Sequence, residues 1–319
     1  MSKRITLHEA LDILKKANSL ILVSHISPDG DTLGSTLALA EGLKQTGKKV
    51  TIMVDDEIAS TYSFMPGIGE YVRPKKGQSY EADLLVIVDS SSLDRIGIVE
   101  ECVKAPILNI DHHVSNNEFA DYIWLDASAA ATGEMMFALL KEMQIEITLA
   151  MSICLYVAIA TDCGFFKYSN TTAASMRAAA ELLERGVEPN VISDFLEMKS
   201  RANIELLCKI LNTLTFEENG RIGIIEISNE DYNKEIDTDS FISYPRYVMG
   251  VEVAVMFKAV EPKKTRVSMR SRWIDVSKIA LAFNGGGHKK ASGCTIEAGL
   301  EEAKKQLLIK IKEEMRVIK

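Results

Sequence analysis

Paired cysteines, histidine and membrane-length apolar runs are all scarce in this chain of 319 residues. Its five cysteines are scattered and never form a C-x-x-C spacing, which argues against a disulfide framework and against a structural zinc site. No apolar run reaches membrane-spanning length, and the N-terminus lacks the apolar core of a signal peptide. These absences predict a soluble, cytoplasmic protein with reduced thiols. The 47% of hydrophobic residues suffice for a sizeable core, and the length suggests two domains.

Positive charge is also in short supply, because 37 Lys and Arg face 45 Asp and Glu. The net charge of −8 argues against a protein that grips long duplex nucleic acid by bulk electrostatics. The distribution is uneven, since residues 241–300 carry ten Lys and Arg against four Asp and Glu. A basic segment within an acidic protein suits a small anionic ligand, although an unevenly charged solvated surface would look the same.

The hydrophobic pattern predicts strands that alternate with helices, and therefore an α/β fold with a doubly wound, mostly parallel sheet. The strands are predicted at 19–24, 49–54, 82–88 and 106–110, and the helices at 7–17, 33–46, 132–143, 149–161 and 171–185. A helical connector is predicted at 191–214, followed by a smaller α/β domain with strands near 222–227, 251–257 and 265–269 and helices at 275–283 and 300–315. The predicted domains are 1–186, a linker of 187–215, and 216–319.

Metal-competent side chains follow several of these strands where each strand ends. His25 follows the first, with Asp29 and Asp31 in the next turn, and Asp89 follows the third. A further group, Asp111-His112-His113, follows the strand at 106–110, and Asp162 ends a helix. Each of these could instead be a turn or a helix cap. Jointly they predict a site for divalent cations of the Mn²⁺ or Mg²⁺ type, because the carboxyl ends of parallel strands meet at one edge.

The order of these residues carries a resemblance to a known family. The motifs are His25-x-x-x-Asp29-x-Asp31, Asp89, Asp111-His112-His113 and Thr161-Asp162. They resemble the four motifs of the DHH phosphoesterase superfamily. Later in the chain, Gly285-Gly286-Gly287-His288, with Arg270-Ser271 ahead of it, resembles the DHHA1 domain. The resemblance covers nearly the whole chain, and the two-domain layout is most similar to the nano-RNase and 3′-phosphoadenosine 5′-phosphate phosphatase group, which is related to the RecJ exonucleases.

The resemblance implies hydrolysis of short RNA oligonucleotides and nucleoside 3′,5′-bisphosphates by a hydroxide that two divalent cations share. Mn²⁺ is the first choice, with Mg²⁺ or Co²⁺ as alternatives. The implied ligands are His25, Asp29 and Asp89 for one cation, and Asp31, Asp89, His112 and Asp162 for the other. The implied catalytic residues are the bridging Asp89, His113 facing the substrate phosphate, and Asp111 orienting the histidine pair. The chain departs from the common pattern at Cys163, where relatives usually carry Thr.

The second domain is expected to recognise substrate. The implied substrate-binding residues are Arg270, Ser271, Gly285, Gly286, Gly287 and His288. Arg suits bidentate phosphate contact, and glycines allow close approach to their backbone, although a helix C-cap with a flexible turn would also explain them. Three aromatic residues, Tyr244, Tyr247 and Trp273, suit either base stacking or a buried core. Short single-stranded RNA and mononucleotide bisphosphates are the expected partners, with neither long duplex nor membrane, and a homodimer remains open.

Other functions compete with this interpretation. A phosphodiesterase for cyclic di-AMP or linear dinucleotides would use the same metal site, and a manganese-dependent inorganic pyrophosphatase shares the metal motifs but usually ends in a different second domain. A RecJ-like processive nuclease would act on long single strands. A nucleotide-binding regulator without catalysis would be expected to lose some ligands. A dinucleotide-dependent oxidoreductase is disfavoured because no G-x-G-x-x-G follows the first strand.

Overall fold

The computed structural model describes residues 2–317. The chain forms two compact units, Met1–Met198 and Lys199–Lys319. In the first unit the strands are β1 (Lys3–Arg4), β2 (Ser19–Ser24), β3 (Lys49–Met53), β4 (Leu84–Val88), β5 (Ile107–Asp111) and β6 (Tyr122–Leu125). They form one parallel sheet in the order β1-β6-β5-β4-β2-β3. The predicted α/β fold with a parallel sheet is confirmed.

Helices follow most of these strands. They are α1 (Leu7–Lys16), α2 (Gly30–Gln45), α3 (Val99–Cys102), α4 (Thr132–Glu142), α5 (Leu149–Asp162), α6 (Ala173–Glu184) and α7 (Pro189–Glu197). Short 3₁₀ turns occupy Ser60–Tyr62, Ile68–Glu70 and Leu93–Ile96. Within residues 2–317, none of the helices combines the length and the apolar character needed to cross a membrane.

The two faces of the sheet are buried in two separate cores. Successive strand residues point to opposite faces, so Leu20 and Leu22 join the larger core while Ile21 and Val23 join the smaller one. Continuous apolar strands such as β4, which is buried along its whole length, follow from this double coverage. The central strands are therefore rigid supports for whatever follows their carboxyl ends.

The second unit contains a mixed sheet of six strands. Its elements are α8 (Arg201–Leu211), β7 (Thr215–Glu217), β8 (Ile222–Ile227), α9 (Ser243–Tyr247), β9 (Val253–Glu261), β10 (Lys264–Ser271), α10 (Val276–Leu281), β11 (Gly286–His288), β12 (Ala291–Ile296) and α11 (Leu300–Val317), with a 3₁₀ turn at Asp239–Ile242. The strand order is β11-β12-β10-β9-β8-β7, in which only β8 and β9 run parallel.

Two differences from the sequence prediction have local causes. The helix predicted from residue 33 begins at Gly30, because the Asp29 carboxylate accepts hydrogen bonds from the backbone N–H groups of Asp31 and Thr32 and caps it. The predicted connector at 191–214 is two helices, because Ser200 caps a new helix start. The predicted linker is divided between the two units, because α7 lies in the first unit and α8 in the second.

Candidate active site

Three neighbouring strands bring the candidate residues to one edge of the first sheet. His25 follows β2, Asp89 follows β4, and Asp111 is the last residue of β5. Asp89 has a φ of +61°, a left-handed conformation that an Asp adopts more readily than most residues and that turns its carboxylate at the strand end. The start of α2 adds Asp31 and its cap Asp29. Both α2 and α5, which ends at Asp162, pack on the face of the sheet to which Leu20 and Leu22 point.

His25 forms the first cluster together with Asp29 and Asp89. Its Nε2 atom lies 3.8 Å from Asp29 Oδ2 and 3.7 Å from Asp89 Oδ2. Its Nδ1 atom lies 2.8 Å from the carbonyl oxygen of Ile26 and 3.0 Å from the Arg95 guanidinium. Nε2 is the ring nitrogen that faces the two carboxylates, and with Nδ1 protonated and donating to Ile26 its lone pair would be free to bind a cation.

His112 forms the second cluster in the same manner. Its Nε2 atom lies 3.8 Å from Asp31 Oδ2 and 3.7 Å from both Asp89 Oδ1 and Asp162 Oδ2. Its Nδ1 atom lies 3.2 Å from the carbonyl oxygen of Ala129. Nε2 is buried and has no hydrogen-bond partner among residues 2–317. A buried, unpartnered lone pair facing three carboxylates is the arrangement expected where a cation belongs.

His113 differs from its neighbour in its partner and its exposure. Its Nδ1 donates to Asp111 Oδ1 at 2.7 Å, which leaves only Nε2 for other contacts. The Asp111 hydrogen bond raises the pKa of His113 to about 9, despite partial burial. The side chain is 36% exposed, whereas that of His112 is 12% exposed. His113 is thus a proton-bearing, accessible group beside the two clusters.

Several residues that the sequence did not indicate hold these ligands in place. Thr132 Oγ1 donates to Asp89 Oδ1 at 2.8 Å, and the N–H groups of Thr132 and Gly133 donate to Asp31 at 2.7 and 2.8 Å. Asn116 donates to Asp111 Oδ2 at 2.6 Å. The N-terminus of α4 therefore binds a carboxylate of the cluster, as helix N-termini do. The only sequence signal was that Thr132 and Gly133 begin a predicted helix.

The electrostatics of the site show a shortage of positive charge. Burial raises the pKa of Asp31 well above its usual value, and the nearby carboxylates of Asp89 and Asp162 raise it further. Burial also raises the pKa of Asp162. For Asp89 burial acts in the same direction, but the neighbouring imidazoles of His25, His113 and His112 outweigh it, so its pKa is lowered. Carboxylates this crowded are stabilised by divalent cations.

These donors fit divalent metal ions. Oxygen ligands dominate, two imidazole nitrogens complete the set, and no thiolate from the described residues joins either cluster. The thiol of Cys163, beside Asp162, is fully buried, and its pKa is raised by that burial. Cys163 is therefore a packing residue, with little thiolate character.

The predicted substrate-binding residues meet at one end of the second sheet. Arg270 lies at the end of β10 and pairs with Ala291, and His288 at the end of β11 also pairs with Ala291. Arg270 is partly exposed and His288 exposed. The Ser271 side chain is only 6% exposed and accepts a hydrogen bond from the N–H of Ile274, so it shapes the turn after β10.

The three glycines of this region differ in what surrounds them. A Cβ on Gly285 would lie 2.3 Å from the carbonyl oxygen of Gly293, and one on Gly287, whose φ is +130°, would lie 2.6 Å from that of Ala291. Both are required for β11 to pack on β12. At Gly286, which is exposed, a Cβ would meet nothing within 4 Å in residues 2–317, so its backbone can be approached from that side.

Comparison with known proteins identifies the family. The model of the DHH family N-terminal domain matches residues 19–161, and that of the DHHA1 domain matches residues 225–316. The chain is 33% identical over 307 residues to the bifunctional oligoribonuclease and PAP phosphatase NrnA of Thermus thermophilus, covering 95% of this chain and 93% of the relative. The chain belongs to the DHH phosphoesterase family.

Other relatives of this DHH phosphoesterase also match over nearly their whole length. The protein of the same name from Bacillus subtilis is 26% identical over 295 residues, which cover 90% of this chain and 92% of the relative. Among solved structures, an exopolyphosphatase-related protein from Bacteroides fragilis superposes with a TM-score of 0.88 at 24% identity, covering 96% of this chain and 95% of that one. The fold is therefore shared across both units.

Proposed function

We propose that this DHH phosphoesterase hydrolyses short RNA oligonucleotides and nucleoside 3′,5′-bisphosphates with the help of two divalent cations. One observation carries the metal site: the two carboxylate oxygens of buried Asp89 face different histidines, Oδ2 toward His25 and Oδ1 toward His112. A single carboxylate between two clusters is the arrangement that lets one residue bridge two cations. His25, Asp29 and Asp89 would hold one, and Asp31, Asp89, His112 and Asp162 the other, with Mn²⁺ as the first choice over Mg²⁺ or Co²⁺.

Two cations held by these residues would supply an activated water and would offset charge on the attacking and leaving oxygens. The residues of the chain do the rest. His113, kept protonated by Asp111, presents an Nε2–H that donates to a phosphoryl oxygen or gives its proton to the leaving oxygen. Asp111 is itself held by Asn116, so the orientation of His113 is fixed before substrate arrives.

The substrate class rests on the relatives and on the second unit. The relatives from Thermus thermophilus and Bacillus subtilis carry oligoribonuclease and PAP phosphatase in their names, and each match covers at least 90% of this chain. The second unit offers Arg270, His288 and the open backbone of Gly286 as phosphate-binding groups. A cyclic di-AMP phosphodiesterase remains the alternative, because it would use the same metal site.

A substrate panel tests the function directly. The purified protein with Mn²⁺ is given a nucleoside 3′,5′-bisphosphate, ribo-oligomers of two to five units, a long ribo-oligomer, cyclic di-AMP and pyrophosphate. We expect the first two classes to be turned over fastest. Preferred hydrolysis of cyclic di-AMP would replace the proposal by its alternative, and equal rates on long strands would indicate a RecJ-like nuclease.

The variant Asp89→Asn tests the shared carboxylate. Asn tolerates the left-handed backbone at this position but supplies one neutral oxygen in place of two charged ones. Loss of a residue that only orients a metal ligand typically costs roughly 10- to 100-fold in activity, and we expect turnover of Asp89→Asn to fall further than that. Bound metal, measured by elemental analysis, should fall below two ions per chain. Asp94→Asn, an exposed carboxylate nearby, is the matched control. Unchanged turnover and metal content in Asp89→Asn would contradict the bridging role.

A further inference from the structure

Two large aromatic side chains of the second unit lie on its surface. Trp273, just after β10, is 76% exposed, and Tyr247, at the end of α9, is 68% exposed. A Trp normally buries most of its 150–250 Å² side-chain area. Two aromatic rings this exposed in one unit therefore mark a candidate binding surface. The sequence left open whether these residues were core, and the structure shows that they are not.

The two aromatic segments are tied together in the fold. The guanidinium of Arg272 donates to the backbone carbonyl of Arg246 at 3.1 Å, which places the residues next to Trp273 and Tyr247 against each other. The Arg246 guanidinium lies 5.3 Å from the centre of the Tyr247 ring and covers one of its faces. We call Arg246, Tyr247, Arg272 and Trp273 the aromatic platform.

Positive charge surrounds the aromatic platform. The Lys290 carbonyl accepts a hydrogen bond from the N–H of Ser271, and the Lys289 carbonyl accepts one from the N–H of Val276, so both lysines lie beside the turn that carries Trp273. Arg270 ends the adjoining strand. Among residues 2–317, none of the five cations at 246, 270, 272, 289 and 290 forms an ion pair, while the nearby Glu252 is paired with Arg221.

Proteins bind single-stranded nucleic acid through exposed aromatic rings and nearby cations. The rings stack on the π-faces of the bases, and the cations attract the negatively charged phosphates. We propose that the aromatic platform stacks a base of the substrate, next to the phosphate-binding groups Arg270 and His288. The inference rests on the proposed function, and it specifies a nucleobase as part of what the second unit recognises. Charge complementarity favours a nucleotide over a second copy of this chain. A phosphate group concentrates negative charge, whereas the net charge of −8 of this chain is spread over 319 residues.

Trp273 supplies its own probe. The chain has two Trp residues, and Trp124 is only 8% exposed, so a base stacking on Trp273 changes the fluorescence of the accessible one. The full-length protein is titrated with AMP and, separately, with ribose 5-phosphate, which has the phosphate but no base. We expect saturable quenching by AMP and little by ribose 5-phosphate, and loss of the AMP response in Trp273→Phe. Equal responses to the two compounds would overturn the stacking role.

Kinetics of variants provide the second readout. Base–aromatic stacking is worth about 1–3 kcal/mol per base, so Trp273→Ala and Tyr247→Ala should each raise KM for a ribodinucleotide by about 5- to 150-fold. Trp273→Phe keeps a ring and should recover most of the affinity. Phe216→Ala removes an exposed aromatic at β7, the opposite edge of the same sheet, and is the matched control.

The outcomes separate this inference from the proposed function. If the unmodified protein hydrolyses neither ribo-oligomers nor a nucleoside 3′,5′-bisphosphate, the proposed function fails, and the AMP titration still decides whether a base stacks. If Trp273→Ala leaves KM unchanged, or merely converts a dimer to a monomer in size-exclusion chromatography at constant KM, the aromatic platform is not a base-binding surface and the inference is overturned.

Discussion

His112 and His113 are adjacent, with ring centres 4.6 Å apart, but their Nδ1 atoms donate to different acceptors. Nδ1 of His112 donates to a backbone carbonyl, which leaves Nε2 a bare lone pair among carboxylates. Nδ1 of His113 donates to a carboxylate, which favours the charged ring. An anionic acceptor stabilises the protonated form of an imidazole far more than a neutral carbonyl oxygen does. The chemistry of each histidine is thus decided by one hydrogen bond.

The variant Asp111→Asn tests this difference. It removes the charge that raises the pKa of His113 to about 9, so that pKa should fall toward the ordinary value near 6.5. If catalysis needs protonated His113, activity is lost as pH rises through its pKa, and the alkaline limb of kcat/KM should shift to lower pH. Near pH 8 the protonated fraction of His113 falls from about nine-tenths to about one-thirtieth, so the rate should fall by about 30-fold. The profile is compared with that of Asp12→Asn, an exposed carboxylate on α1. An unshifted limb would contradict the role of Asp111.

At the scale of elements, the site depends on the close approach of two helices. Gly34 of α2 lies against α5, where an added Cβ would stand 2.2 Å from the carbonyl oxygen of Cys154. Helix α2 delivers Asp31 and helix α5 delivers Asp162, so the spacing of these helices sets the separation of two proposed ligands. A backbone oxygen cannot move aside as a side-chain tip can.

We therefore expect Gly34→Ala to destabilise the protein. The methyl group forces α2 and α5 apart, at a cost of about 1–3 kcal/mol in the free energy of unfolding measured with urea. Gly42→Ala is the matched control, because it lies in the same helix and its Cβ would meet only the ends of side chains, the nearest being that of Leu140 at 2.4 Å. Both variants gain the same helix propensity. Equal stability of the two would show that the helices tolerate separation.

At the scale of the whole molecule, stability should depend on metal and on pH together. The pKa values of Asp31 and Asp162 are raised above their ordinary 3.8 in the folded chain. Between that value and the raised pKa, the folded state binds more protons than the unfolded state, so the metal-free protein loses stability as pH rises. Metal ions need the ionised carboxylates, so their affinity rises over the same range.

Thermal unfolding with EDTA and with Mn²⁺ measures this coupling. At a free Mn²⁺ concentration about 100 times the dissociation constant, binding stabilises the folded state by about 2.7 kcal/mol per site, so Tm should rise. The rise should grow as pH increases from about 5 to 8, and it should shrink in Asp89→Asn. A rise in Tm that is equal at all pH values, or unaffected by that substitution, would contradict the proposed site.

The sequence alone determined the architecture of the first unit and the identity of the residues at its edge. Apolar runs such as β2 and β4, and the helix signals between them, are local patterns, and their order placed His25, Asp89 and Asp111 at strand ends. The short strands β1 and β6 were missed, because two exposed polar residues and a run of four carry too little periodicity. In the second unit the strands β7, β11 and β12 were missed as well.

Only the tertiary structure decided how those residues are used. Asp31 is held by the N–H of Thr132, 101 positions away in the chain, and no local pattern predicts that partner. Ser271, expected to meet substrate, turns inward, while Trp273, two residues later, is left on the surface. The reason is physical: periodicity records which face of an element is apolar, whereas exposure and hydrogen-bond partners depend on which distant elements pack against that face.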